Sequence, residues 1–129
     1  MKKCMIVDDS AVIRRLVRNI LEPLAFDCTD AKNGEMALDA CRQAMPELIM
    51  LDWNMPVMDG MQFLGHLRKT PGGEKPVVIF CTSECDMAHI RAALEAGATD
   101  YVMKPFDKDI VVGKLVQNGI IGEQGAQSN

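Results

Sequence analysis

Leu48-Ile49-Met50-Leu51-Asp52-Trp53-Asn54-Met55-Pro56-Val57-Met58-Asp59-Gly60 is the stretch whose reading decides the fold. Four apolar residues run straight into a carboxylate. A run that short, apolar on both faces, fits a buried parallel strand better than an amphipathic helix. Pro56 and the Asp59-Gly60 pair then demand a loop. Asp52 therefore stands where a central strand stops, the edge at which open α/β sheets bind ligands. Taken alone, an acid there is only a solvated strand end.

The same pattern recurs. Cys4-Met5-Ile6-Val7 runs into Asp8-Asp9, Val77-Val78-Ile79-Phe80-Cys81 into Thr82-Ser83, and Tyr101-Val102-Met103 into Lys104-Pro105. If the runs are parallel strands of one sheet, two acids, a third acid, a hydroxyl and an ammonium gather on one edge. Crowded carboxylates repel one another unless a cation joins them. An oxygen-rich cluster with few protein carboxylates suits Mg²⁺, which keeps waters and favours phosphate oxygens. Lys104 adds a mobile positive charge.

Asp8-Asp9, Asp52, Thr82 and Lys104-Pro105, in this order and spacing, resemble the receiver domain of two-component response regulators. Asp52-Trp53-Asn54-Met55-Pro56 resembles the single-domain, CheY-like members in particular. The likeness spans residues 3–121. It implies a doubly wound, flavodoxin-like α/β fold: a five-stranded parallel sheet of order 2-1-3-4-5 with five helices. Residues 1–121 form the receiver domain, and 122–129 are expected to be a disordered polar tail.

The resemblance also assigns roles. Asp52 is the phosphoacceptor. Asp9, Asp52 and the backbone carbonyl of Asn54 are Mg²⁺ ligands, and Asp8 acts mainly through water. Thr82 donates a hydrogen bond to a phosphoryl oxygen. Lys104 pairs with the phosphoryl group, and with Asp52 before it arrives. Lys104–Pro105 is a candidate cis bond. Asn54 and Glu84 flank the path of an attacking water and control dephosphorylation. Thr82 moves toward the phosphoryl group and Tyr101 fills the space it leaves. Met87, Ile90, Tyr101 and Met103 are then the exposed contacts of a switch and partner surface. The expected donor is a histidine kinase or histidine phosphotransfer protein. The output is a downstream protein target, in chemotaxis or another pathway, since no output domain follows residue 121.

Composition sets bounds. A chain of 129 residues suits one domain with a real core. A net charge of -4 without a basic cluster argues against nucleic-acid binding. No apolar run reaches the ~18 residues of a membrane span. Asp8 and Asp9 cut the first apolar run too short for a signal peptide, so a cytoplasmic monomer is expected. Five cysteines, at 4, 28, 41, 81 and 85, have no framework spacing and read as reduced core residues.

Two other classes start from a strand-end acid or a similar sheet. A haloacid dehalogenase-like phosphatase wants a second Asp two residues after its nucleophile, where Asn54 stands here, and a larger body. A flavodoxin-like redox carrier wants a Thr/Ser/Gly-rich phosphate loop after the first strand, where Asp8-Asp9-Ser10 stands. The expected protein is a signalling switch that catalyses only its own phosphorylation and dephosphorylation. A relay shuttle or phosphate sink is the variant without a motor target.

Local signals place the helices. Ser10 can cap a helix with Ile13, Leu16, Val17, Ile20, Leu21 and Leu24 on its apolar stripe, which Pro23 kinks or ends. Phe26–Asp30 reads as a short edge strand. Asn33 or Gly34 opens a second helix that stops near Ala44 before Pro46. Asp59 and Gln62 resemble a capping box. Asp86 and Asp107 can cap the last two helices, and Gly97 and Gly119 can end them. His66 and His89 read as exposed helix residues. Trp53 is either packing or partner-facing.

Overall fold

Every residue of β3 (Leu48–Asp52) is buried, as its unbroken apolar run demands. The computed structural model describes residues 1–83 and 87–122. Four more strands flank β3: β1 (Lys2–Val7), β2 (Phe26–Ala31), β4 (Val77–Thr82) and β5 (Asp100–Met103). All pair in parallel, in the order β2-β1-β3-β4-β5. The helices are α1 (Ala11–Leu21), α2 (Gly34–Gln43), α3 (Gly60–Lys69), α4 (Met87–Glu95) and α5 (Lys108–Gln117).

Alternation along β3 divides the core in two. Leu48 and Met50 join Val17, Ile20 and Leu21 of α1 and Val111 and Leu115 of α5 on one face. Ile49 and Leu51 join Leu38 of α2, Phe63, Leu64 and Leu67 of α3 and Ala93 of α4 on the other. A strand covered on both faces must be apolar throughout, so the carboxylate of Asp52 is tolerated only at its end.

The helix ends follow local chemistry. Ser10, Asn33 and Asp107 cap α1, α2 and α5 through their side chains. Asp59 and Gln62 form a complete capping box at α3. At the end of α4, Ala98 N–H donates to Ala93 O (3.0 Å) and Gly97 N–H to Leu94 O (3.1 Å). At the end of α5, Ile120 N–H donates to Leu115 O (3.0 Å) and Gly119 N–H to Val116 O (3.1 Å). Both are Schellman endings, with Gly97 and Gly119 at positive φ.

α1 stops at Leu21, as a helix ended by Pro23 should, and Pro23 lies in a separate 3-10 turn, Glu22–Leu24. Several expectations change. Leu16 is exposed although it fits the apolar spacing, because Val17, Ile20 and Leu21 take the inward face. Ile90 is only 8% exposed. It shares the inward stripe of α4 with Ala93, three residues on, and so is not an exposed contact. His89 is half-buried rather than exposed, its ring 5.2 Å from that of Trp53. Glu84, Cys85, the cap Asp86 and the tail from residue 123 lie outside the described residues.

Candidate functional site

Strand register builds the site. Val7 pairs with Leu51, so Asp8, the next residue, comes level with Asp52. Asp52 pairs with Cys81, and Thr82 pairs with Met103. Asp8, Asp52, Thr82 and Lys104 therefore meet at the carboxyl edge of the three central strands and β5. Lys104 N–H donates to Thr82 O (2.7 Å), which ties the last two strand ends together. The Lys104–Pro105 peptide is cis.

The Lys104 ammonium bridges two acids, at 2.9 Å from Asp52 Oδ1 and 3.1 Å from Asp8 Oδ2. The second contact has no counterpart in the sequence expectation, which gave Lys104 only Asp52. Asp8 is 3% exposed, Asp52 8% and Thr82 3%, whereas Asp9 is open to solvent. Asp8 is held further by Ser10 N–H (2.9 Å) on its Oδ1 and Arg14 Nη1 (2.7 Å) on its carbonyl. Carboxylate oxygens of Asp8, Asp9 and Asp52 lie within 4.8 Å of one another.

One ammonium shared among these acids leaves the edge short of positive charge. Burial, opposed by the hydrogen bond from Lys104 and reinforced by Asp8, pushes the Asp52 carboxyl above its ordinary range. Burial alone would pull the Lys104 ammonium down, but the hydrogen bond and attraction to Asp52, and then Asp8, hold it above its usual value. The cation is well compensated and Asp52 is not. Three convergent oxygen ligands with residual negative charge fit a hard divalent cation such as Mg²⁺.

The loop after Asp52 is pinned at two glycines. Gly60 N–H donates to Trp53 O and Gly34 N–H to Met58 O, both at 2.9 Å. A Cβ on Gly60 would stand 2.3 Å from Asp52 O, so only glycine lets α3 begin so close beneath the acid. Trp53 packs inward, its ring 5.0 Å from that of Phe80, between the loop and α4. That resolves its two readings toward packing. Asn54 is exposed beside it. Val57, at the loop tip, is 74% exposed with φ +70°, an unusual conformation for a β-branched residue.

Met87 is exposed, and Tyr101 and Met103 are half-buried, on α4 and β5. A residue of this region that the sequence did not single out is Lys114, whose ammonium lies 4.6 Å from the Tyr101 ring centre. Cys4, Cys28, Cys41 and Cys81 are free and buried. Burial pushes the Cys81 thiol up to about 12 and Cys41 up to about 11, which leaves them as core filling.

The family model for the response regulator receiver domain matches residues 4–115. The chain belongs to the receiver domain family. This receiver is 34% identical over 114 residues to the chemotaxis protein CheY of Halobacterium salinarum, covering 88% of this chain and 93% of the relative. It is 34% identical over 117 residues to CheY1 of Helicobacter pylori, with 88% and 93% covered. The solved structure of CheY4 of Vibrio cholerae superposes on the receiver with a TM-score of 0.86 at 29% identity, covering 92% of this chain and 98% of that one. A CheY-like receiver is a phosphoryl-accepting signalling switch rather than a classical enzyme, and acts between histidine kinases or phosphotransfer proteins and downstream targets. No helix among the described residues is long and apolar enough to cross a membrane.

Proposed function

We propose that this receiver accepts a phosphoryl group on Asp52 in a Mg²⁺-dependent reaction and thereby changes its affinity for a protein partner. The observation that carries the reading is a nearly buried Asp52 bonded to Lys104 at 2.9 Å within a cluster of three carboxylates. An Asp52 oxygen attacks phosphorus as the bond to the donor, a phosphohistidine or a small acyl phosphate, breaks. Lys104 and the Thr82 hydroxyl stabilise the phosphoryl oxygens. Asp8, Asp9, Asp52 and the Asn54 carbonyl would hold Mg²⁺, which neutralises charge on the transferred group when bound. Asp8 would take part through a bound water.

After transfer, Thr82 bonds a phosphoryl oxygen and Tyr101 takes up a new position. Met87, Tyr101 and Met103 then belong to the surface a partner reads. Asn54 and Glu84 set the lifetime of the phosphorylated state. The chemotaxis proteins among its relatives favour a chemotaxis pathway.

Intact-mass measurement after acetyl phosphate and Mg²⁺ treatment tests the reading. Wild type should gain one phosphoryl group and Asp52→Asn none, because an amide is not a nucleophile here. Equal labelling of both would overturn it.

A further inference from the structure

Lys114 sits outside the phosphorylation site yet touches the one tyrosine of the chain. It rises from α5, and its ammonium donates to Asp100 Oδ1 at 2.9 Å. Asp100 is fixed on every side. Its Oδ1 also accepts from Tyr101 N–H (2.8 Å), and its Oδ2 accepts from Asn118 Nδ2 (2.9 Å). Asn118 is tied in turn to the Lys114 carbonyl (2.8 Å). β5 is an edge strand, and alternation sends Asp100 and Tyr101 to opposite faces of it. The Tyr101 ring packs against the core cluster that α3 and α4 share. Lys114 therefore reaches round the open edge of the sheet. Its charge lies 4.6 Å from the ring centre, within range of a cation–π attraction.

We infer that Lys114, anchored by Asp100 and Asn118, is a positioning residue that clasps the Tyr101 ring at the β5 edge and biases it toward the position described here. The inference rests on the reading of Tyr101 as the moving element of the switch. The anchor makes the clasp specific. When the ring leaves, the ammonium keeps Asp100, so only the attraction to the ring is lost. Such a contact biases an equilibrium and does not lock it, which a switch requires. Burial alone would raise the Asp100 carboxyl, but the hydrogen bonds from Asn118 and Lys114 hold it below the ordinary range, so it stays charged at neutral pH.

The test uses protein labelled with ¹³C on the Tyr101 ring, with and without Mg²⁺ and beryllofluoride as the phosphoryl mimic. Ring cross-relaxation contacts report its position, which loss of a nearby charge does not by itself alter. Lys114→Met keeps the apolar stem and removes the charge. In the unloaded protein it should lower the population of the clasped ring position relative to the alternative one roughly two- to five-fold, the size of one exposed cation–π contact. Lys114→Arg, which can face both ring and carboxylate, should restore wild-type contacts. Thermal unfolding of each variant confirms that it is folded. If the ring moves on loading in wild type but Lys114→Met matches unloaded wild type, the clasp is wrong and the switch reading stands. If the wild-type ring keeps its contacts on loading, the switch reading fails and the clasp falls with it.

Discussion

Lys104 and Arg68 are both half-buried cations, at opposite edges of the same sheet, and they are held by different kinds of partner. Lys104, where strands end, bonds two carboxylates that belong to movable side chains. Arg68, where β4 and β5 begin, bonds only backbone among the described residues. Its Nε and Nη2 donate to Gly97 O at 2.9 and 2.7 Å, and its Nη1 to Gly73 O and Pro76 O at 2.8 and 3.0 Å. Those carbonyls lie at the end of α4 and in the α3–β4 loop, and they cannot leave. Burial lowers the Arg68 guanidinium from its ordinary value, with Glu74 opposing, and five fixed donors suit a fork of carbonyls. One edge carries charge that can be re-paired when a phosphoryl group arrives. The other uses charge to fasten three segments of chain.

The largest expected effect is on the fastened edge. Arg68→Met strands carbonyls of Gly73, Pro76 and Gly97 without a donor and should lower stability by about 3 kcal/mol. Urea unfolding measures it. The folded variant should still accept phosphate on Asp52. A variant of unchanged stability would remove the contrast between the edges.

The opposite sign is expected at the site. The folded-state carboxyl of Asp52 is raised, so wild type is favoured below the unfolded value of about 3.9 and loses that advantage as pH rises through the folded value. Asp52→Asn should therefore melt higher than wild type at pH 7 and show no gain near pH 3, with Asp8 still holding Lys104. Paired melts at the two pH values check the sign. A lower melting point at pH 7 would mean that the acid is well compensated after all.

A smaller gain is expected at the loop tip. Val57 at φ +70° carries a branched side chain where Asn is tolerated, and it makes little use of burial. Val57→Asn should add about 1 kcal/mol in urea unfolding. The smallest signal is optical. Mg²⁺ should change the fluorescence of Trp53, the one tryptophan, and change it less in Asp9→Ala. Equal titrations would remove Asp9 from the ligand set.

The strands, four helix caps and both Schellman endings were legible because each rests on residues within a few positions of one another. The strand order came only through resemblance, since pairing joins segments far apart in sequence. Within the site, apolar runs ending in Asp8, Asp52, Thr82 and Lys104 marked the edge, but the Lys104–Asp8 bridge needed the register of β1 against β3. Gly60 read as a turn residue, whereas its place is set by the Asp52 carbonyl 2.3 Å from where a Cβ would stand. Arg68 follows Leu64 by four on the inward stripe of α3, and that spacing is the sequence signal of its inward position. Ile90 and His89 were misplaced because the face of α4 that meets the sheet depends on helix docking, which spacing over nine residues fixes poorly.

The central claim is that Asp52 is the group that carries phosphate. Acyl phosphates are reduced by borohydride to an alcohol, so the site can be read directly. The receiver would be treated with acetyl phosphate and Mg²⁺, reduced, digested and mapped by mass spectrometry. Homoserine at position 52, and its loss when Mg²⁺ is chelated, is the predicted result. Homoserine at Asp8, Asp9 or Asp59 instead, or none at position 52 in protein that has gained a phosphoryl group, would contradict it.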